Sequence, residues 1–401
     1  MNYRQKLPIC FLLTILNKTV QMKFLISLFT AFVVAFVPPA AIAQSSGVPA
    51  PNVTAKSFVL LDYLSNQIIA SHNPDERVEP ASLTKLMTAY LSFAAIKQKK
   101  LTLTQVIPVS TRAWKAEGSR MFIDLKQPVT VDELLHGMII QSGNDASIAL
   151  AEAIAGSEQL FAELMNKEAQ RLGLKNTHFI NSTGLPEKEH YSTAEDMARL
   201  AAAIIRDHRD FFPLYSQKDY TYNKITQPNR NRLLYIDKFV DGMKTGHTDA
   251  AGYCLVSTAK RGERRLISVV LGTGSDNART IESQKLLNYG FQFFDTQKLY
   301  SKDQSVATLE VYKGGANTVS AGFQQDLYLA LPREQFAKLK ATLNTTQPLL
   351  APLASGQRIG SMKLTLDDAA VAEYPVVALQ NVPLAGFFVR TWDSIKLLWK
   401  K

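Results

Sequence analysis

Cysteine is almost missing from this chain. Its 401 residues include two, Cys10 and Cys254. Cys10 lies in an N-terminal stretch that reads as a removable leader, so Cys254 would stand alone, without a partner for an internal disulfide. Stability must then come from core packing. Cys254 falls in an alternating apolar run and reads as a small buried hydrophobe rather than a nucleophile. Histidine is sparse as well. The six histidines have no paired metal-ligand spacing, so neither a metal centre nor a cofactor is expected. The charge excess is modest. Residues 1–43 hold Arg4, Lys6, Lys18 and Lys23 and no acid, and the remainder has 41 basic against 35 acidic residues, a net of +6. A weakly basic surface suits an anionic membrane or cell wall. No basic stripe interleaved with aromatics marks a nucleic-acid site.

Long apolar runs are confined to one place. Met22-Lys23 is followed by the run Phe24 to Val37 and then Ala41-Ile42-Ala43, the small-x-small pattern of a cleavage site. Residues 1–43 are therefore expected to be an export signal, with 1–21 an upstream extension or Met22 the true start, and Gln44 the first mature residue. The 46% hydrophobic content of 401 residues allows a substantial core and suggests two domains.

Three short strings then stand in order: Ser82-Leu83-Thr84-Lys85, Ser142-Gly143-Asn144 and Lys244-Thr245-Gly246. Each is common alone; their joint occurrence in this order is not. A serine hydroxyl is a poor nucleophile until a base takes its proton. Lys85, three residues on, would share a helical face with Ser82. It could act as that base only if burial or nearby positive charge kept it neutral, and Lys244 is one candidate source of that charge. Pro80 and the apolar residues Leu83, Leu86, Met87, Tyr90 and Leu91 place Ser82 at a helix start. A helix over Val131–Ile140, opened by the capping box Thr130-x-x-Glu133, and a second over Ala146–Ala155 put Ser142 and Asn144 in a tight interhelical connection. Lys244-Thr245-Gly246 enters a β-hairpin formed by Tyr253–Ser257 and Leu266–Leu271. There Lys244 offers charge, Thr245 a hydroxyl, and Gly246 close approach of a substrate backbone.

With these strings and the stretches Pro80–Thr88, Gln141–Ala146, Leu174–Phe179, Tyr191–Ala194 and Lys244–Thr248, the chain resembles the D-alanyl-D-alanine carboxypeptidases, the low-molecular-mass class C penicillin-binding proteins. The likeness runs from about Val53 to the C-terminus and is nearest the type-5 subclass. It implies Ser82 as nucleophile, Lys85 as proton acceptor, Ser142 as proton relay and Asn144 as holder of the substrate amide. It also implies Lys244, Thr245 and Arg279 as binders of the terminal carboxylate, with Gly246 beside them. The N–H groups of Ser82 and His247 would form an oxyanion hole. The implied substrate is the peptidoglycan pentapeptide, and β-lactam antibiotics would acylate the same serine.

Strands at both ends with helices between predict an α+β catalytic domain over 51–296, an antiparallel sheet flanked by helices as in penicillin-binding proteins and β-lactamases. Its elements include a hairpin around Ser65-Asn66, a helix opened by Ser192-x-x-Glu195, and a helix from about Arg279 to Phe294. Over 299–382 short alternating runs divided by turns predict a small all-β domain. Residues 384–401 form an amphipathic pattern. Leu384, Phe387, Phe388, Trp392, Ile395, Leu398 and Trp399 share one face; Arg390, Asp393, Lys396 and Lys400 share the other. The segment is too short and charged to span a bilayer, and suits a helix lying on a membrane surface through Phe387, Phe388, Trp392, Ile395 and Trp399. Together with the leader, this predicts a protein on the periplasmic face of the bacterial inner membrane.

Three other readings compete. A serine β-lactamase shares the strings, but its class A members usually carry Ser-Asp-Asn and a Glu-x-x-x-Asn motif. Here Gly143 occupies the middle of the second string, and Glu187, Glu189 and Glu195 lack that motif's context. A D,D-endopeptidase would commonly lack the β domain. A non-catalytic cell-wall scaffold would have broken strings, and these are intact.

Overall fold

The structure, a computed structural model, describes residues 48–49 and 51–399; the predicted leader lies outside them. A fully antiparallel five-stranded sheet forms the centre of the catalytic part. Its strands are β1 (Ser57–Asp62), β2 (Gln67–His72), β3 (Val240–Thr248), β4 (Gly252–Arg261) and β5 (Arg264–Thr273), in the order β2-β1-β5-β4-β3. Strand β1 reads Ser-Phe-Val-Leu-Leu-Asp and is buried throughout, because both faces of the sheet are covered. Val59 and Leu61 join the core beneath the main helices, whereas Phe58 and Leu60 join one built with Leu286 and Leu287. That alternation is the period-two geometry of a strand.

The helices that cover the first face are α1 (Lys85–Lys97), α2 (Val131–Ile140), α3 (Asn144–Ala155), α4 (Glu158–Leu172) and α5 (Ala194–Asp207); α6 (Asp276–Phe293) covers the second. Helix α2 has the expected bounds and the expected capping box: Glu133 N donates to Thr130 Oγ1 at 3.3 Å, and Thr130 N donates to Glu133 Oε2 at 2.8 Å. The start of α5 is one residue later than expected. Ser192 is held extended by paired backbone hydrogen bonds to Val78, so Thr193 becomes the cap and accepts from Asp196 N at 3.2 Å. Helix α6 begins at Asp276, capped by Ser275, so Arg279 lies inside its first turn rather than at its start.

Strand β6 (Phe294–Tyr300) follows α6 without a linker and pairs with β9 (Leu327–Pro332). The remaining strands are β7 (Ser305–Tyr312), β8 (Thr318–Gly322), β10 (Leu339–Thr345), β11 (Leu349–Leu350), β12 (Arg358–Leu366) and β13 (Ala369–Ala378). They form a six-stranded sheet in the order β10-β12-β13-β8-β7-β11, with only β7 and β11 parallel. It has its own apolar core, including Val319, Leu329, Leu364 and Val376. Buried Asp62 joins the two parts by accepting from Arg264 Nε at 3.0 Å and from Thr296 Oγ1 at 2.5 Å. Helix α7 (Phe387–Trp399) closes the described chain. Its charged side does not simply face water: Asp393 is buried and accepts from Lys313 N at 2.6 Å. No described helix is long and apolar enough to cross a membrane.

Candidate active site

The turn carrying the first string is a 3-10 helix, Ala81–Thr84, that passes directly into α1 at Lys85. Three residues per turn bring positions i and i+3 into register, closer than in an α-helix. Lys85 Nζ accordingly lies 3.1 Å from Ser82 Oγ. Ala81 takes φ +47° to start this turn, a conformation uncommon for a side chain with a Cβ. Gly184 supports it from behind. With φ +83°, its added Cβ would lie 1.8 Å from the Ala81 carbonyl oxygen.

Lys85 is fully enclosed. Its Nζ also donates to Asn144 Oδ1 and to the Thr183 carbonyl, both at 2.6 Å. Burial pushes its pKa down to about 7, and the positive charge of Arg230 pushes the same way, while Asp145 and Glu158 oppose both. Neutral lysine is therefore available near physiological pH. Lys244, the candidate source of that charge, is electrostatically coupled to Lys85 and is itself held well below the usual lysine range, by burial first and then by Lys85, Arg230 and Arg279.

Ser142 occupies the α2–α3 connection with φ +66°, and its Oγ accepts from Lys244 Nζ at 2.8 Å. Asn144 opens α3 and is committed at both ends of its amide: Oδ1 to Lys85, and Nδ2 to the Glu117 carbonyl at 2.6 Å. Here it positions Lys85 directly. Asp145 accepts from the backbone N–H groups of Met121, Phe122 and Ile123, which pins the segment passing in front of α3.

Strand β3 is an edge of the sheet, so Lys244-Thr245-Gly246-His247 line an open strand edge, the arrangement that accepts an extended peptide. Gly246 also has a structural duty: its added Cβ would lie 3.0 Å from the Pro80 carbonyl oxygen, so the glycine makes room for the Ser82 turn. Arg279 is buried, pairs with Asp276, and donates to the Gly246 carbonyl at 3.0 Å. His247 is exposed and stacks near Tyr253, ring centroids 4.0 Å apart.

Three residues of this neighbourhood carry no signal in the sequence strings. Arg230 follows buried Asn229 and acts electrostatically on Lys85, Lys244 and Arg279. His190 accepts from Ile180 N through Nδ1, so its proton sits on Nε2 and is donated to Thr84 Oγ1 at 2.8 Å. Burial lowers its pKa to about 4 and keeps it neutral. Glu158, at the start of α4, is the third. The competing β-lactamase carboxylates are elsewhere: Glu187 and Glu189 are exposed, and Glu195 pairs with Arg199. Among the described residues no cluster of metal-ligating side chains is present.

The arrangement brings together a serine hydroxyl, a buried amine in contact with it, a hydroxyl linked to a second lysine, and an open strand edge. The chain is similar to known proteins. A family model described as D-alanyl-D-alanine carboxypeptidase matches residues 44–275, and one described as the C-terminal domain of penicillin-binding protein 5 matches 294–384. The D-alanyl-D-alanine carboxypeptidase DacC of Escherichia coli is 43% identical over 376 residues, spanning 92% of this chain and 94% of that protein. The crystal structure of penicillin-binding protein 5 from Haemophilus influenzae is 43% identical, covers 84% of this chain and 100% of that one, and superposes with a TM-score of 0.82. An ampicillin-bound penicillin-binding protein D2 from Listeria monocytogenes is 30% identical over 61% of this chain and all of that one, with a TM-score of 0.57. With its sequence strings, its fold and its relatives in agreement over almost the whole described length, the chain belongs to the D-alanyl-D-alanine carboxypeptidase family.

Proposed function

We propose that Ser82, Lys85 and Ser142 perform this family's peptidase reaction on the pentapeptide stems of peptidoglycan. The carrying observation is the enclosed Lys85 amine, 3.1 Å from Ser82 Oγ with a pKa near 7. Lys85 takes the Ser82 proton as Oγ attacks the carbonyl carbon of the penultimate D-alanine. The backbone N–H groups of Ser82 and His247 stabilise the oxyanion. Collapse of the tetrahedral intermediate breaks the peptide bond, and Ser142, linked to Lys244, passes a proton to the departing D-alanine nitrogen. Water then hydrolyses the acyl-enzyme. Lys244, Thr245 and Arg279 receive the terminal carboxylate, whose negative charge favours the protonated form of Lys244. A β-lactam, which presents a strained amide and a carboxylate, acylates Ser82 in the same way. The test is D-alanine release from a diacyl-Lys-D-Ala-D-Ala peptide by the chain and its Ser82→Ala variant. Release by the parent alone supports the assignment; equal release or equal penicillin labelling by the variant refutes it.

The same reading places the protein on the periplasmic face of the inner membrane, delivered by the export signal in 1–43 and held by residues 384–401. Two features of α7 support it. Its Asp393 side is fastened to the β domain, and on the other side Phe387, Phe388, Trp392 and Trp399 are 73%, 87%, 60% and 86% exposed, with Ile395 between them at 44%. Apolar exposure of that kind on a docked helix suits a lipid headgroup boundary.

A further inference from the structure

We propose that Glu158 is a positioning residue for acylation, acting on Lys85 through the Ser182–Thr183 turn. This rests on Lys85 being the base. An amine nitrogen is tetrahedral, and neutral lysine has two N–H bonds and one lone pair. Asn144 Oδ1 and the Thr183 carbonyl, each 2.6 Å from Nζ, claim the two hydrogens. The remaining direction points to Ser82 Oγ at 3.1 Å. The Thr183 carbonyl therefore helps aim the lone pair at the proton to be removed.

What holds that carbonyl is a clamp centred on Glu158. The Oε1 atom of Glu158 accepts from Ser182 N at 3.0 Å and Ser182 Oγ at 2.7 Å, while Oε2 accepts from Arg112 Nε at 3.1 Å and from its NH2 group. Its side chain is 5% exposed. From the other side, Thr88 Oγ1, one turn beyond Lys85, donates to the Ser182 carbonyl at 2.7 Å. Asn181 Oδ1 accepts from Thr183 N and Gly184 N, which folds the turn. The carboxylate thus ties the N-terminus of α4 to a loop that reaches Lys85 from outside the three sequence strings.

Glu158 also acts by charge. The charged groups facing Lys85 are Arg230, which is positive, and Asp145 and Glu158, which are negative; the buried Lys244 amine is nearby, with burial favouring its neutral form, and Glu158 is faced by Arg112 and His190. Acylation needs neutral Lys85, so its rate rises with pH through the lysine pKa. Removing the Glu158 charge favours the neutral amine and moves that limb to lower pH.

The experiment measures the second-order acylation rate of the full chain with a fluorescent penicillin from pH 5 to 9, for Glu158→Gln, Glu158→Ala and Lys85→Met. Glu158→Gln keeps an acceptor for Ser182, so it should acylate within about threefold of the parent at pH 8, with its acid limb displaced downward. Glu158→Ala frees the turn and should acylate about 10- to 100-fold more slowly, as expected when a catalytic group loses its alignment. Parent-like rates and an unmoved acid limb in both variants overturn the proposal. If Glu158→Ala does not fold, the decision passes to Glu158→Gln, where an unmoved limb is equally fatal. Normal acylation by Lys85→Met would instead overturn the base assignment on which the proposal stands.

Discussion

The catalytic part and the C-terminal β part bury their polar groups very differently. Beneath the cleft, Lys85, Asn144, Asp145, Glu158, His190, Lys244 and Arg279 are all withdrawn from water within one neighbourhood. From residue 299 onward, the buried polar residues among those described are Ser361 and Asp393. Burying a charge is costly unless it is paired or hydrogen-bonded. The β part avoids that cost with an ordinary apolar core. The catalytic part accepts it, and the return is chemical: desolvation brings Lys85 into the range where it can act as a base, and Lys85, Asn144, Asp145, Glu158, His190, Lys244 and Arg279 each have hydrogen-bond partners, whereas the side-chain amide of buried Gln141 has none. The difference separates a region built around buried polar groups from one built around an apolar core.

The comparison can be broken most directly at Lys85. Lys85→Met should retain the fold and lower acylation by about 10²–10⁴-fold, the usual share of general-base catalysis. In the parent, the acylation rate should rise with pH through about 7, because folding lowers the Lys85 pKa and the neutral amine is the active form. Stopped-flow acylation across that range checks both statements, and a flat profile would contradict the burial argument. An intermediate effect is expected from Leu364→Ala in the β core. Deleting this fully buried side chain should cost about 2–5 kcal/mol of stability in thermal or urea unfolding while leaving D-alanine release per folded molecule unchanged. A drop in turnover with the fold intact would show that the two parts are energetically coupled across Asp62, Arg264 and Thr296. The smallest effect on catalysis should follow deletion of Gly386–Lys401. Activity should be unaltered and the protein should leave the membrane fraction; tight membrane association after deletion would refute the role given to α7.

Much of this was legible in one dimension. The bounds of α2 and its capping box follow from Thr130, Glu133 and a 3.6-residue apolar period, all local properties. Ser82 and Lys85 are readable because their contact is made within one turn. The α5 cap was misread by one residue because a distant partner, Val78, decides whether Ser192 is extended or capping. The room that Gly246 leaves for the Ser82 turn was not legible, because its neighbour is Pro80, 166 positions earlier in the chain, and no short window of sequence contains both.

The amino-acid sequence by itself determined the Ser82–Lys85 pairing, the bounds of α2, and the amphipathic character of the C-terminal segment. Each depends on residues close together in the chain, where spacing fixes geometry. Tertiary structure alone decided that burial and Arg230 lower the Lys85 pKa, and that Lys244, coupled to Lys85, is lowered too. It also decided that the Thr183 carbonyl and Glu158 stand behind the base, and that Asp393 fastens α7 to the β domain. Desolvation and electrostatic coupling depend on what surrounds a group from every direction, and that surrounding is assembled only when segments far apart in the sequence pack together.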